Sequence, residues 1–195
     1  MTELFLKCHA FVAKWEGGLS DDKYDAGGIT KYGVSIEALR DHAANWPNAI
    51  KELGIRLPVS RETIKGLTKE QAQGFFERFY WKTLSCDKLP PAVALCVYDY
   101  GVNSGPYRSA VKAQTAYNRM FPNHEQLATD GKLGPKSIAA LADMECPEGI
   151  KALTQIRRDF LHAIIAKKPT QKVFEKGWMN RVNDLEKTAL AWLQG

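Results

Sequence analysis

Glu16, Asp25 and Thr30 are the residues whose types and spacing suit chemistry. Glu16 follows Phe11, Val12 and Trp15. An apolar surround of that kind disfavours an ionised carboxylate and keeps the acid protonated near neutrality, ready to donate to a leaving oxygen. An anion at a helix C-terminus also opposes the macrodipole, and local rules of this sort are broken where function requires it. Gly17 and Gly18 come next; lacking Cβ atoms, they let a bulky ligand approach the carboxyl. Asp25 lies nine residues after Glu16, and Thr30 five beyond that, within reach of a loop that folds back. An ionised Asp25 beside the Thr30 hydroxyl could hold and deprotonate a water. Together these groups could cleave a glycosidic bond. Inverting enzymes keep their carboxyls roughly 6.5–9.5 Å apart and retaining ones roughly 5–5.5 Å. The order of residues fits both outcomes, and a hydroxyl-assisted water favours inversion. The competing reading is an ordinary helix-terminal glutamate followed by turn-capping aspartates, which applies equally to Asp21 and Asp22.

Mostly helical elements must position these groups. Leu4, Leu6, Cys8, Phe11, Val12 and Trp15 form an apolar face that predicts a helix over 3–16, ended by Gly17-Gly18. Residues 19–33 lack a helical period and predict a loop or small hairpin. A second helix begins near Ser35. Asn45, Pro47, Gly54 and Pro58 predict an irregular stretch over 45–60. Thr68 and Gln71 form a capping-box pattern that should start a helix through about Trp81. Pro90-Pro91 opens an apolar helix to about Val102. Ser104-Gly105-Pro106 breaks it, and another helix runs to about Phe121. Pro135 opens a helix to about Met144, and two longer helices near 148–167 and 171–193 are separated around Pro169. The fold class is therefore mainly α.

Composition narrows the class further. The 195 residues are 45% hydrophobic, enough for a sizeable core, with five Trp, seven Tyr and eight Phe that pack it or stack on sugar rings. No run approaches the roughly 18–20 apolar residues of a membrane span. The N-terminal residues lack a basic region and a small-residue cleavage site, so no signal peptide is expected. Cys8, Cys86, Cys96 and Cys146 have neither C-x-x-C nor zinc spacing. Reduced, buried thiols are expected, with a Cys86–Cys146 disulfide the alternative. His9, His42, His124 and His162 are scattered, so no metal and no cofactor is expected. Phosphoryl transfer and serine or cysteine hydrolysis lack their motifs. Residues 151–195 carry 9 Lys+Arg against 4 Asp+Glu, whereas 1–150 carry 18 of each, so the C-terminal part holds the whole net charge of +5. That asymmetry suits an anionic partner: cell-wall polymer, membrane surface or nucleic acid.

The run Glu16-Gly17-Gly18, Asp22, Asp25, Gly27-Gly28, Thr30 and Gly33 resembles the signature of glycoside hydrolase family 108, lysozyme-like N-acetylmuramidases of phage endolysins and bacterial "secretion activator" proteins. The likeness continues through Phe79-Tyr80-Trp81, Leu89 to Ala94, and Asp99 to Pro106. The second half, with Asp130-Gly131-Lys132-Leu133-Gly134-Pro135 and Gly177 to Val182, resembles the peptidoglycan-binding module that often follows that domain. The resemblance implies a lysozyme-like helical catalytic domain over 1–105 and a helical peptidoglycan-binding domain over 106–195. It implies hydrolysis of the β-1,4 bond between N-acetylmuramic acid and N-acetylglucosamine, with Glu16 as general acid, Asp25 as the second carboxylate and Thr30 beside it. The Asp–Thr gap is one residue shorter than in the common phage pattern. Where such sequences often read D-P-x-D-P-G-G, this chain has Lys23 and Ala26 in place of the prolines.

Gly17, Gly18, Tyr32, Tyr98, Asp99 and Asn103 are the candidate substrate-binding residues. Tyr32 follows the catalytic loop. Tyr98, Asp99 and Asn103, spaced along one apolar helix and its end, could reach a common cleft and bond hydroxyl and N-acetyl groups. A buried polar network linking helices is the alternative for these three. The expected partner is peptidoglycan, bound by a monomer, with no nucleic acid and no stable membrane insertion. Lytic transglycosylase chemistry and a non-catalytic wall-binding role stand as alternatives. Without a signal peptide, action in the wall would follow release from the cytoplasm by a holin or a dedicated route.

Overall fold

Helix α1 (Glu3–Glu16) starts where the Thr2 hydroxyl accepts from the Phe5 amide at 3.2 Å, with Glu3 in the first turn facing the positive end of the dipole. It buries Phe5, Cys8, His9, Phe11 and Val12 on one face. The structure is a computed structural model that describes residues 1–16 and 28–194. The described residues form ten α-helices and one two-stranded antiparallel sheet, a mainly α fold. The chain divides into two compact units, Met1–Phe79 and Tyr80–Gly195.

In the first unit, strands β1 (Thr30–Lys31) and β2 (Val34–Ser35) pair antiparallel, Thr30 opposite Ser35 and Lys31 opposite Val34. The Ile36 amide extends the ladder to the Ile29 carbonyl at 3.0 Å. Tyr32 and Gly33 form the two-residue connection, with φ of 52° and 80°. Positive φ at both central residues is the type I′ geometry, whose twist matches that of the strands. The expected hairpin thus lies at the end of the stretch 19–33 and reaches Ser35; its portion 19–27 lies outside the described residues. The Ser35 hydroxyl caps α2 (Ile36–Asn45) by accepting from Ala38 N at 3.1 Å. Pro47 opens α3 (Pro47–Glu52) where the sequence suggested irregular chain. A proline at the first helical position sacrifices no hydrogen bond, so it starts a helix as readily as it breaks one. Ser60 and Thr63 form a capping box for α4 (Arg61–Lys65). Thr68 and Gln71 do the same for α5 (Lys69–Phe76), as predicted. The expected continuation to Trp81 is present, but Glu77–Trp81 is a π-turn.

The second unit is built around α6 (Pro91–Ser104), in which every residue from Ala92 to Gly101 is buried. Its N-terminus meets a carboxylate from far along the chain. Glu145 accepts from the Ala92 and Val93 amides, both at 2.9 Å, satisfying two orphan donors and placing an anion at the positive dipole end. α6 packs with α7 (Pro106–Met120), α9 (Pro147–Lys167) and α10 (Glu175–Trp192). α8 (Pro135–Ala142) follows a loop held by Gln114, whose side chain donates to Asp130 Oδ1 at 2.9 Å and accepts from the Gly131 amide at 3.1 Å. The break expected around Pro169 is a single 3₁₀ segment, Pro169–Phe174. All four cysteines are free thiols, so Cys86 and Cys146 are not bridged. Because α6 packs with the later helices, the compact units divide earlier than the boundary expected after residue 105.

His9 gives the first unit a distinct acid response. Its imidazole is buried between Phe5, stacked at 5.3 Å, and Phe76, also at 5.3 Å. Burial, and to a lesser degree the charge of Lys69, lowers its pKa from 6.5 to about 4. Between those values the unfolded chain binds a proton that the folded unit refuses. Stability is therefore intact above about pH 6.5 and declines as pH falls towards 4, by about 3 kcal/mol in all. Denaturant melts at pH 7, 5.5 and 4.5 should show this slope in the wild type and a shallower one in His9→Phe; equal slopes would contradict it.

Candidate active site

Glu16 is the last residue of α1 and is half-buried, with Trp15 beside it and the Lys14 ammonium over the Trp15 ring at 5.7 Å. The turn of the β1–β2 hairpin lies against its side chain. A Cβ added at Gly33 would stand 3.1 Å from Glu16 Cβ, 3.2 Å from Glu16 Cγ and 3.3 Å from Phe76 Cζ. The backbone at Gly33 thus forms one wall of the Glu16 side chain, and the Phe76 ring adjoins the same point. Thr30, half-buried, lies on the strand that enters this turn, and Tyr32, 40% exposed, forms its other central residue. The structure therefore sets Gly33, in the turn of the hairpin that carries Thr30 and Tyr32, against Glu16 at the end of α1. Asp25, Gly17 and Gly18 lie outside the described residues.

The turn is held by more than its ladder. Lys31 Nζ donates to the Lys65 carbonyl at the end of α4, at 2.5 Å, and stands over the Tyr32 ring at 5.3 Å. Tyr32 is a bulky residue in the left-handed region, a conformation that persists only where its surroundings over-determine it. Two concavities of this unit, of about 410 and 610 Å³, are lined by the 54–71 segment and by residues of α2 with Leu57 and Pro58 respectively; neither is lined by Glu16, Thr30 or Tyr32.

Gly33 is the site residue that residue chemistry alone overlooks. Its signal is the x-Gly pair in a two-residue turn, but its position against Glu16 is a tertiary fact. Gly33→Ala would combine a positive φ with a Cβ pressed onto the carboxylate side chain. We expect a stability loss of about 1–2 kcal/mol. Melting curves of the variant beside the wild type check this; unchanged stability would contradict it.

The three candidates on α6 are not drawn into one cleft. Tyr98 has no exposed surface and meets Trp81 edge-on at 5.3 Å. Asp99 is likewise 0% exposed and is held by two guanidinium groups. Arg157 Nη1 donates to Oδ2, while Arg181 donates to Oδ1 through Nη2 at 2.8 Å and Nε at 3.1 Å. Burial alone would raise the Asp99 carboxyl, but the two arginines override it and hold it below the ordinary carboxylate range. Neither side chain can touch a polymer from there, so the expectation that they bind substrate is corrected: Asp99 takes the alternative of a buried network joining α6, α9 and α10, and Tyr98 packs in the core against Trp81. Asn103 is exposed near the end of α6 and accepts from the Ser104 hydroxyl at 3.4 Å. Among the described residues, no group of three His, Cys, Asp or Glu side chains is placed to hold a metal ion, and no helix is long and apolar enough to cross a membrane.

Residues 9–105 match the family described as "Glycosyl hydrolase 108", and residues 112–183 match the one described as "Predicted Peptidoglycan domain". The solved structure of Brucella abortus SagA is 29% identical and superposes with a TM-score of 0.76, covering 98% of this chain and 96% of that one. No curated protein sequence matches the chain. The two matched segments meet between residues 105 and 112, whereas the compact units meet at 79 and 80. The hydrolase segment therefore includes α6, a helix that packs into the second unit.

Proposed function

We propose that this chain, whose residues 9–105 match the glycosyl hydrolase 108 family and whose residues 112–183 match a peptidoglycan domain, is a lysozyme-type N-acetylmuramidase. A peptidoglycan hydrolase is what the two segments together describe; the bond and the residues are our reading. The bond is the β-1,4 linkage between N-acetylmuramic acid and N-acetylglucosamine. Glu16 donates a proton to the leaving oxygen as that bond breaks. Asp25, assisted by the Thr30 hydroxyl, holds a water and takes its proton as the water attacks the sugar from the opposite face. Tyr32, exposed at the turn, offers a ring and a hydroxyl to the glycan, and Gly17 and Gly18 leave room for the polymer.

The observation that carries this reading is the contact between Glu16 and the Gly33 backbone. It puts the one carboxylate ending α1 beside a hairpin that supplies a hydroxyl and an exposed aromatic. Fixing a proton donor against rigid backbone is the preorganisation that acid catalysis needs. Purified sacculi incubated with the wild-type chain should release soluble muropeptides. Sedimentation with the sacculi and no release would overturn the proposal in favour of a wall-binding protein. Release of fragments ending in anhydro-muramic acid would replace hydrolysis with transglycosylation, in which the muramyl 6-hydroxyl takes the place of water.

A further inference from the structure

α9, about 31 Å long at 1.5 Å per residue, and α10 pack together and are joined by the 3₁₀ segment Pro169–Phe174, so that segment is the tip of a helical hairpin. None of its residues is buried. Val173 is 79% and Phe174 53% exposed, two large apolar side chains side by side at the turn. Phe174 stacks on Trp178 of α10 at 5.9 Å, which extends the aromatic surface along the helix. Lys167, Lys168, Lys172 and Lys176 surround this point, and all four are exposed. Glu175 is the one acidic residue in 167–178, and it faces His162 Nε2 at 3.9 Å. Four lysines against one glutamate give the tip +3 of the chain's +5. Much of the remaining basic charge nearby is consumed inside the unit, with Arg157 and Arg181 on Asp99 and Arg158 on Glu186.

We infer that this tip is a docking surface for an anionic phospholipid bilayer. The lysines supply attraction to headgroups and let their stems lie along the boundary with the charges outward. Val173 and Phe174 supply apolar surface for the headgroup–acyl boundary, which a soluble polyanion would leave wet. A ring of lysines alone would suit any polyanion; the exposed valine and phenylalanine at its centre favour a bilayer. The contact is peripheral, since the described helices contain no membrane span, and it is independent of the muramidase reading.

Flotation of the full-length protein tests the inference, using vesicles of phosphatidylglycerol and phosphatidylcholine in equal parts against pure phosphatidylcholine. The wild type should float with the mixed vesicles, float poorly with the neutral ones, and release as salt is raised. Lys168→Gln with Lys172→Gln should weaken binding about thirtyfold, and Phe174→Ser about tenfold. These side chains are exposed, so circular dichroism should be unchanged. Absence of flotation with the mixed vesicles would overturn the inference, as would binding that neither variant weakens. Loss of sacculus or duplex-DNA binding in the variants, with no vesicle binding in the wild type, would assign the tip to those polymers instead.

Discussion

Glu16→Gln should abolish wall lysis while leaving the fold intact. The amide keeps the shape of the carboxyl and the contact with the Gly33 turn, but it has no proton to give. Removing a positioned general acid typically costs between about a hundredfold and ten-thousandfold in rate. Glu16 is half-buried at a helix end rather than in the core, so the variant should melt within about 1 kcal/mol of the wild type. Turbidity clearance of sacculi measures the first quantity and a denaturant melt the second. Retained clearance would remove Glu16 from the chemistry, and a collapse of both together would make it a structural residue. On the proposed roles, Asp25→Asn should also lower activity, by removing the base that takes the proton of the attacking water rather than the acid that serves the leaving oxygen.

The second large effect is on stability alone. Asp99→Asn should destabilise the protein by about 3–5 kcal/mol, because it leaves the guanidinium groups of Arg157 and Arg181 buried with their counter-charge gone. The Arg157 guanidinium over the Tyr100 ring at 5.5 Å offsets only part of that loss. Replacing all three residues by apolar ones of similar volume should recover most of the stability, since the desolvation of the charges disappears with them. The arginines hold Asp99 below its ordinary value of 3.8. Its contribution is therefore fully present above pH 3.8 and is lost as pH falls through the lower folded-state value. The gap between wild type and Asp99→Asn should accordingly be constant from pH 5 to 7 and close at strongly acid pH. A variant within 1 kcal/mol of wild type at neutral pH would contradict the account, as would a gap that widens in acid.

Local features of this fold were legible in residue order, and non-local ones were not. The Thr68–Gln71 capping box and the helix that ends at Glu16 rest on contacts within a few residues, and both stand as the sequence suggests. Pro47 misleads because the same residue ends one helix and opens another, and only the neighbouring turn decides which. Asp99 misleads for a different reason. A polar residue on an apolar helix reads as a ligand-facing group until its partners are known, and Arg157 and Arg181 lie 58 and 82 residues away. Glu145, which caps α6 from 53 residues on, gives no sign of that role in its own neighbourhood. The candidate site divides along the same line. Glu16, Thr30 and Tyr32 could be picked out by residue type and spacing. The wall that fixes Glu16 is backbone at Gly33, and backbone approach leaves little trace in residue chemistry beyond a glycine.

The central claim is that Glu16 protonates a muramyl glycosidic oxygen that water then replaces. Its most direct test is product analysis by mass spectrometry after digestion of purified peptidoglycan in ¹⁸O-water, with the wild type and Glu16→Gln side by side. The account predicts muropeptides with reducing N-acetylmuramic acid ends carrying one ¹⁸O from the wild type, and none above background from Glu16→Gln. Anhydro ends without label, reducing N-acetylglucosamine ends, or the same labelled products from both proteins would contradict it.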